Sequence, residues 1–271
     1  MLRALILLFL IAGSAQAQDA AALRAHHAVL KELLANNPFG RPLHVESSAS
    51  GGAHEGQIYA VLAQPYPAVA EALARPDGWC QILTLQVNIK RCSVDQSGQA
   101  LAAFITRKPR DSIDSAHRVD FRYESTTKSG DYLRVALSAS SGPMGTHDYQ
   151  IVFEASPLDA RHTFMHMSYA YTLGVVARVA MNSYLAGAGR DKRGFSVSGG
   201  ERGVVERSAM RYYLAVEAYL ESLSATAEQR LEARLRNWSA AISRFPQLHE
   251  AVGAEEYVEM KFREARPAPS G

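Results

Sequence analysis

The sequence predicts an α+β chain built on an antiparallel sheet with a long helix near its C-terminus. Three observations predict it. Four consecutive segments between Val119 and Tyr171 alternate apolar and polar residues and are joined by short turns. An earlier strand runs directly into a helix opened by Pro65 and Pro67. A long helical pattern follows at Val204–Leu223, with Ala209, Tyr212, Tyr213, Val216, Ala218 and Leu220 available for packing.

The first 17 residues read as an export signal, with Arg3, a short apolar run and the Ala15-Gln16-Ala17 cleavage pattern. A short run of this kind suits bacterial export, so the expected location is the periplasm. The remaining chain divides into a domain at 18–223 and a helical extension with a loose tail at 224–271. With 29 basic and 27 acidic residues the net charge is +2, which gives no whole-chain attraction to nucleic acid. Cys80 and Cys92 are the only cysteines, and export to an oxidising compartment favours a disulfide between them.

In chain order, residues 19–36 read as a helix with Leu23, His27, Leu30, Leu33 and Leu34 on one stripe, and Leu43–Glu46 as a strand. Residues 57–63 are apolar on both sides, so both sides must be covered, by a helix or by a ligand cavity. The proline-opened helix carries Val69 and Leu73. It is interrupted at Arg75-Pro76-Asp77-Gly78, and Trp79 follows. Residues 83–90 alternate as a strand would. A straight strand would nevertheless hold Cys80 and Cys92 roughly 40 Å apart, whereas a disulfide needs their Cα atoms within about 7 Å. A bridged chain must therefore turn helically around Trp79–Leu83 before a strand returns Cys92.

The sheet follows. Val119, Phe121 and Tyr123 share one face, as do Leu133, Val135 and Leu137, then Tyr149, Ile151 and Phe153, then Met165, Met167, Tyr169 and Tyr171. The turn at 128–131 joins the first two. Residues 175–186 read as a helix with Val175, Val179 and Met181 on its apolar side, and Arg190, Asp191, Lys192 and Arg193 as a charged connection. Phe195–Val197 reads as a short strand. Two more helices are expected at 226–244 and 255–263.

The carrying residues Tyr59–Leu62, Pro65–Val69, Trp79 and the Val204–Leu223 helix resemble the START/SRPBCC superfamily. What that resemblance implies is a helix-grip fold, a curved sheet wrapped around the long C-terminal helix, here with extra helices at both ends. It also implies an apolar cavity between sheet and helix, used for lipids, sterols or polyketides. The expected function is binding or carriage of a hydrophobic ligand, a lipid foremost, with transient membrane contact and no cofactor. The expected lining is Val119, Phe121, Tyr123, Leu133, Val135, Tyr149, Ile151, Met165, Met167, Tyr169 and Tyr213. Tyrosine hydroxyls would fix a polar head, and methionines adapt to an apolar body.

Two other classes stay open. One is an enzyme in the same fold using a histidine such as His147 or His166 as general base. The other is a solid-core adaptor that binds a protein partner. His162 and His166 would share a strand face, but no carboxylate or thiol nearby in sequence completes a metal set. His147 and Asp148, as strand neighbours, point to opposite faces, and His26 and His27 to different sides of their helix. Ser198-Gly199-Gly200 lacks the lysine and spacing of a phosphate loop.

Overall fold

A computed structural model describes residues 20–128, 130–249 and 252–266. The export signal, the loose tail at 267–271 and Ser129 of the 128–131 turn lie outside the described residues. Eight strands form one antiparallel sheet: β1 (Leu43–Ser50), β2 (Ala53–Leu62), β3 (Ile89–Val94), β4 (Ala100–Ile105), β5 (His117–Lys128), β6 (Tyr132–Ser141), β7 (Thr146–Pro157) and β8 (Thr163–Leu173). Their order across the sheet is β1-β2-β8-β7-β6-β5-β4-β3. Everything from β3 to β8 is a meander of neighbours, and the β1–β2 hairpin is attached to β8.

Helix α1 (Ala20–Ala35) precedes the sheet, and α2 (Tyr66–Leu73) and α3 (Pro76–Leu83) connect β2 to β3. Prolines set these two helix starts: Pro65 precedes α2, Pro67 lies in its first turn, and Pro76 opens α3. The apparent interruption at 75–78 is thus the start of a second helix, and Trp79 lies inside it. Its indole Nε1 donates to the Leu73 carbonyl at 2.9 Å, tying α3 to α2. Gly78 is required there, because a Cβ would stand 2.7 Å from the Ala72 carbonyl oxygen.

Cys80 and Cys92 form the disulfide, with Cα atoms 5.2 Å apart. As the bridge demands, residues 80–83 are helical, the chain turns through 84–88, and β3 begins at Ile89. The 83–90 alternation is therefore no continuous strand, and only Ile89 and Lys90 of it lie in β3. Its apolar members, Leu83, Leu85 and Val87, are buried by turns instead.

The sheet closes around α5 (Gly200–Ser222), which packs on β2 on one side and on a later C-terminal helix on the other, and also meets β1, β8 and α3. Strand β2 and α5 approach closely at Gly56, where a Cβ would lie 2.9 Å from the Val205 carbonyl oxygen and 3.0 Å from the Ala209 Cβ. On the opposite face of the sheet, α1 buries Leu23, Leu30 and Leu34 against Tyr59, Tyr132 and Phe164. Strand β2 is thus covered twice, by α5 within and α1 without. Leu33, expected on the buried stripe, is exposed.

Helix α4 (Val175–Ala186) lies between β8 and α5 in the chain. It turns Ala177 and Met181 inward and leaves Val175 and Val179 exposed, the reverse of the expected side for the valines. Residues 195–197 are not a strand. The segment is held by Glu206, which accepts from the backbone N–H groups of Phe195 and Ser196 and from the hydroxyls of Ser47 and Ser196. Helices α6 (Arg230–Ser243) and α7 (Ala254–Ala265) add Leu235, Trp238, Tyr257 and Met260 to the same apolar cluster as the sheet interior. The Tyr257 hydroxyl donates to the Leu85 carbonyl at 2.8 Å.

Candidate functional site

The inner face of the sheet is the surface gripped by α5. Period-two alternation along β8 points Met165, Met167, Tyr169 and Tyr171 inward and Phe164, His166 and Ser168 outward. Val119, Phe121, Tyr123, Leu133, Val135, Ile151, Met165, Met167, Tyr169 and Tyr213 all join one buried cluster, with Tyr149 packed at its margin. All of them are thus residues of the apolar core. In this state those positions are filled by packed side chains, and Trp79 meets Phe153 edge-on at 5.9 Å between ring centroids.

One end of this interface differs from the rest. Tyr149 of β7, Tyr169 and Tyr171 of β8 and Tyr212 of α5 converge there. Ring centroids are 4.9 Å apart for Tyr169 and Tyr212, 5.6 Å for Tyr169 and Tyr171, and 5.8 Å for Tyr149 and Tyr171. The Tyr149 hydroxyl donates to Thr146 Oγ1 at 2.7 Å. No hydrogen bond joins the hydroxyls of Tyr169, Tyr171 or Tyr212 to any described residue. Burial pushes the pKa of all three upward, with their tyrosine neighbours adding to it. They stay protonated near neutrality and are available as donors. His54 stacks on Tyr171, centroids 5.1 Å apart, and its ring nitrogens face the Gly52 carbonyl and Glu201 at 2.8 and 3.0 Å.

Tyr213 is placed differently. It accepts from Arg41 at 2.7 Å, and Arg41 also pairs with Glu217. Burial raises the Glu217 pKa despite that ion pair.

Of the histidines that the sequence offers as general bases, neither His147 nor His166 is inside, whereas His54 is fully buried on the inner face. His166 lies on the outer face beneath α1, with Nδ1 2.8 Å from Glu154 Oε2 and Nε2 3.2 Å from Gln57 Oε1. Tyr132 also donates to Glu154, at 2.5 Å, and Tyr59 donates to Gln57 at 2.7 Å. Burial works against the Glu154 carboxylate, but the hydrogen bonds from His166 and Tyr132 prevail and its pKa is lowered. His147 is exposed and pairs with its neighbour Asp148 at 2.7 Å. A register irregularity between His147 and Gln150, with Asp148 at φ +53°, lets adjacent residues meet where a regular strand would separate them. His26 and His27 both reach the sheet, against Tyr59 and Phe164, instead of diverging. His162 sits in an exposed turn with Asp159.

The Glu154–His166 network was not anticipated. Its members come from β2, β6, β7 and β8, and only strand register makes them neighbours.

No protein-family model matches the chain, and no curated protein matches it. Among solved structures it is similar to human STARD10, at 10% identity over 80% of this chain and 87% of that one, TM-score 0.43. It is also similar to the Zhui aromatase/cyclase from Streptomyces sp. R1128, at 16% identity over 68% and 98%, TM-score 0.40. Truncated norcoclaurine synthase from Thalictrum flavum follows, at 12% identity over 66% and 99%, TM-score 0.39. Likenesses this distant carry no argument about function. A strand, two short helices, an antiparallel meander and a clasped long helix, traced above in this chain's own sheet order, give it a helix-grip fold.

Proposed function

We propose that this protein binds and carries an amphiphilic, lipid-like ligand between the inner sheet face and α5, in the periplasm. The observation that carries the reading is the tyrosine end of that interface. Three convergent hydroxyls there have no protein partner among the described residues yet are not sealed from water, so a ligand head can reach them and accept from them at the mouth of an apolar interior. The ligand body would lie along Met165, Met167, Val135 and Ile151, displacing side chains that now fill the space. The disulfide and the export signal support an oxidising compartment. The reading needs neither a cofactor nor covalent chemistry.

Helix α4 supports contact with a membrane. Val175, Val176 and Val179 are 77%, 66% and 63% exposed, and exposed Met144 of the neighbouring 143–145 turn lies on the same side of the fold. Arg190, Lys192 and Arg193, exposed just beyond the helix, match anionic lipid heads. The adaptor reading is favoured by the filled interior together with the same valines, which a protein partner would cover.

Native mass spectrometry of protein purified from its periplasm, with lipid extraction, separates the two. The expected result is a co-purifying lipid that is depleted in the Tyr169→Phe/Tyr212→Phe variant while the fold is retained. Protein free of lipid and unable to take up a fluorescent fatty acid would overturn the carrier reading. A protein partner lost on Val176→Asp would then establish the adaptor.

A further inference from the structure

A second cleft lies away from the α5 interface, at the opposite edge of the sheet. It has a volume of about 900 Å³ and is bounded by β3, the 109–113 loop, α6 and α7. Its lining includes six basic and three acidic side chains, so it is strongly positive in a chain of nearly balanced charge.

Two lysines are buried in its wall. Lys90 of β3 and Lys261 of α7 are each only 4% exposed at the side chain, and both ammonium groups converge on one carboxylate, Glu264. Lys90 Nζ donates to Glu264 Oε1 at 2.7 Å and also to the Pro109 carbonyl. Lys261 Nζ donates to the Ile89 carbonyl at 2.8 Å. Glu264 Oε2 is 2.9 Å from Lys261 Nζ but out of line for a hydrogen bond. The cluster carries one uncompensated positive charge. Burial, with Lys90 nearby, pulls the Lys261 pKa down to about 8, although Glu264 opposes this.

The rim continues the pattern. Arg110 is matched by Glu256 at 2.7 Å, whereas Arg263 and Arg266 form no ion pair with a described carboxylate. The opposite wall is apolar, from Leu231 and Leu235 of α6 and Ile113 of the loop. A positive end, an apolar wall and a volume within the small-ligand range define an amphiphile site.

We propose that this cleft binds a single-chain amphiphile with an anionic head, the head on the Lys90–Lys261 pair and the two arginines, the chain along Leu231 and Leu235. The head chemistry is shared by a lipid and by free phosphate, and separate probes distinguish them. The site is independent of the α5 interface proposed above.

Isothermal titration calorimetry of the full chain, below micelle-forming concentrations, tests it with dodecyl phosphate, dodecanol and inorganic phosphate. Dodecyl phosphate is expected to bind saturably, at least tenfold more tightly than either partial probe, and more weakly as salt rises. Arg263→Glu/Arg266→Glu should weaken it at least tenfold with an unchanged melting temperature. If that variant melts lower, Arg263→Gln/Arg266→Gln carries the same test. Tyr169→Phe, which alters only the α5 interface, should leave this binding unchanged. Equal dodecyl phosphate affinity in the wild type and the arginine variants would overturn the proposal. So would inorganic phosphate binding as tightly as dodecyl phosphate, or no binding at all.

Discussion

The two faces of β8 solve the burial of polar groups in opposite ways. On the outer face, His166, Glu154, Gln57 and Tyr59 satisfy one another beneath α1. On the inner face, Tyr169 and Tyr171 are buried rings whose hydroxyls have no hydrogen-bond partner among the described residues, with His54 stacked on Tyr171. A closed network of this kind fixes how a helix docks. Donors left open, as at Tyr169 and Tyr171, are what the proposed ligand head would use. Residues two apart on one strand therefore share an environment, while residues one apart differ in purpose.

The largest expected effect breaks the outer network. Glu154→Ala removes the carboxylate that His166 and Tyr132 both bond, which should cost about 3 kcal/mol. Thermal unfolding should show a fall of roughly 6–12 °C. The lowered Glu154 pKa means that its stabilisation is complete above the ordinary carboxylate range and is lost as pH falls through the lowered value. The melting-temperature gap between wild type and Glu154→Gln should accordingly narrow in acid. A constant gap would detach the network from stability.

Next comes the inner packing. Val135 is fully buried opposite Phe153, so Val135→Trp should overfill the interface by about 1–3 kcal/mol and abolish lipid uptake. An unchanged melting temperature with uptake lost would show an interior that yields readily. The smallest effect on the fold is Tyr169→Phe. Its hydroxyl has no protein partner, so stability should stay within about 0.5 kcal/mol. Ligand affinity should fall roughly 2- to 12-fold, the equivalent of one net hydrogen bond. A clear loss of stability instead would mean the hydroxyl serves the fold.

The long alternating strands and α5 were legible because each contrasts an apolar with a polar side. Strand β4, Ala-Leu-Ala-Ala-Phe-Ile, escaped because alanines on both faces erase that contrast, although Leu101 and Ala103 are the buried pair. The 83–90 stretch misled in the other direction, since turns can bury alternate residues as a strand does. The disulfide constraint corrected it, because a chain-length argument is independent of pattern. The tyrosine end was half legible: the β8 stripe could be read, but Tyr212 joins it only through the pitch of α5 against the sheet. The β3–α7 cleft was illegible, because Lys90 and Lys261 lie 171 positions apart and look like ordinary surface lysines in a charged helix and a strand.

Gly56 has a mechanical consequence. Backbone meets backbone there, with nothing but hydrogen on the strand side to shave away. Strand and helix are keyed together at that point, because any side chain on the strand would meet the Val205 carbonyl and the Ala209 methyl. Gly56→Ala would act as a shim between the two, forcing α5 away from β2.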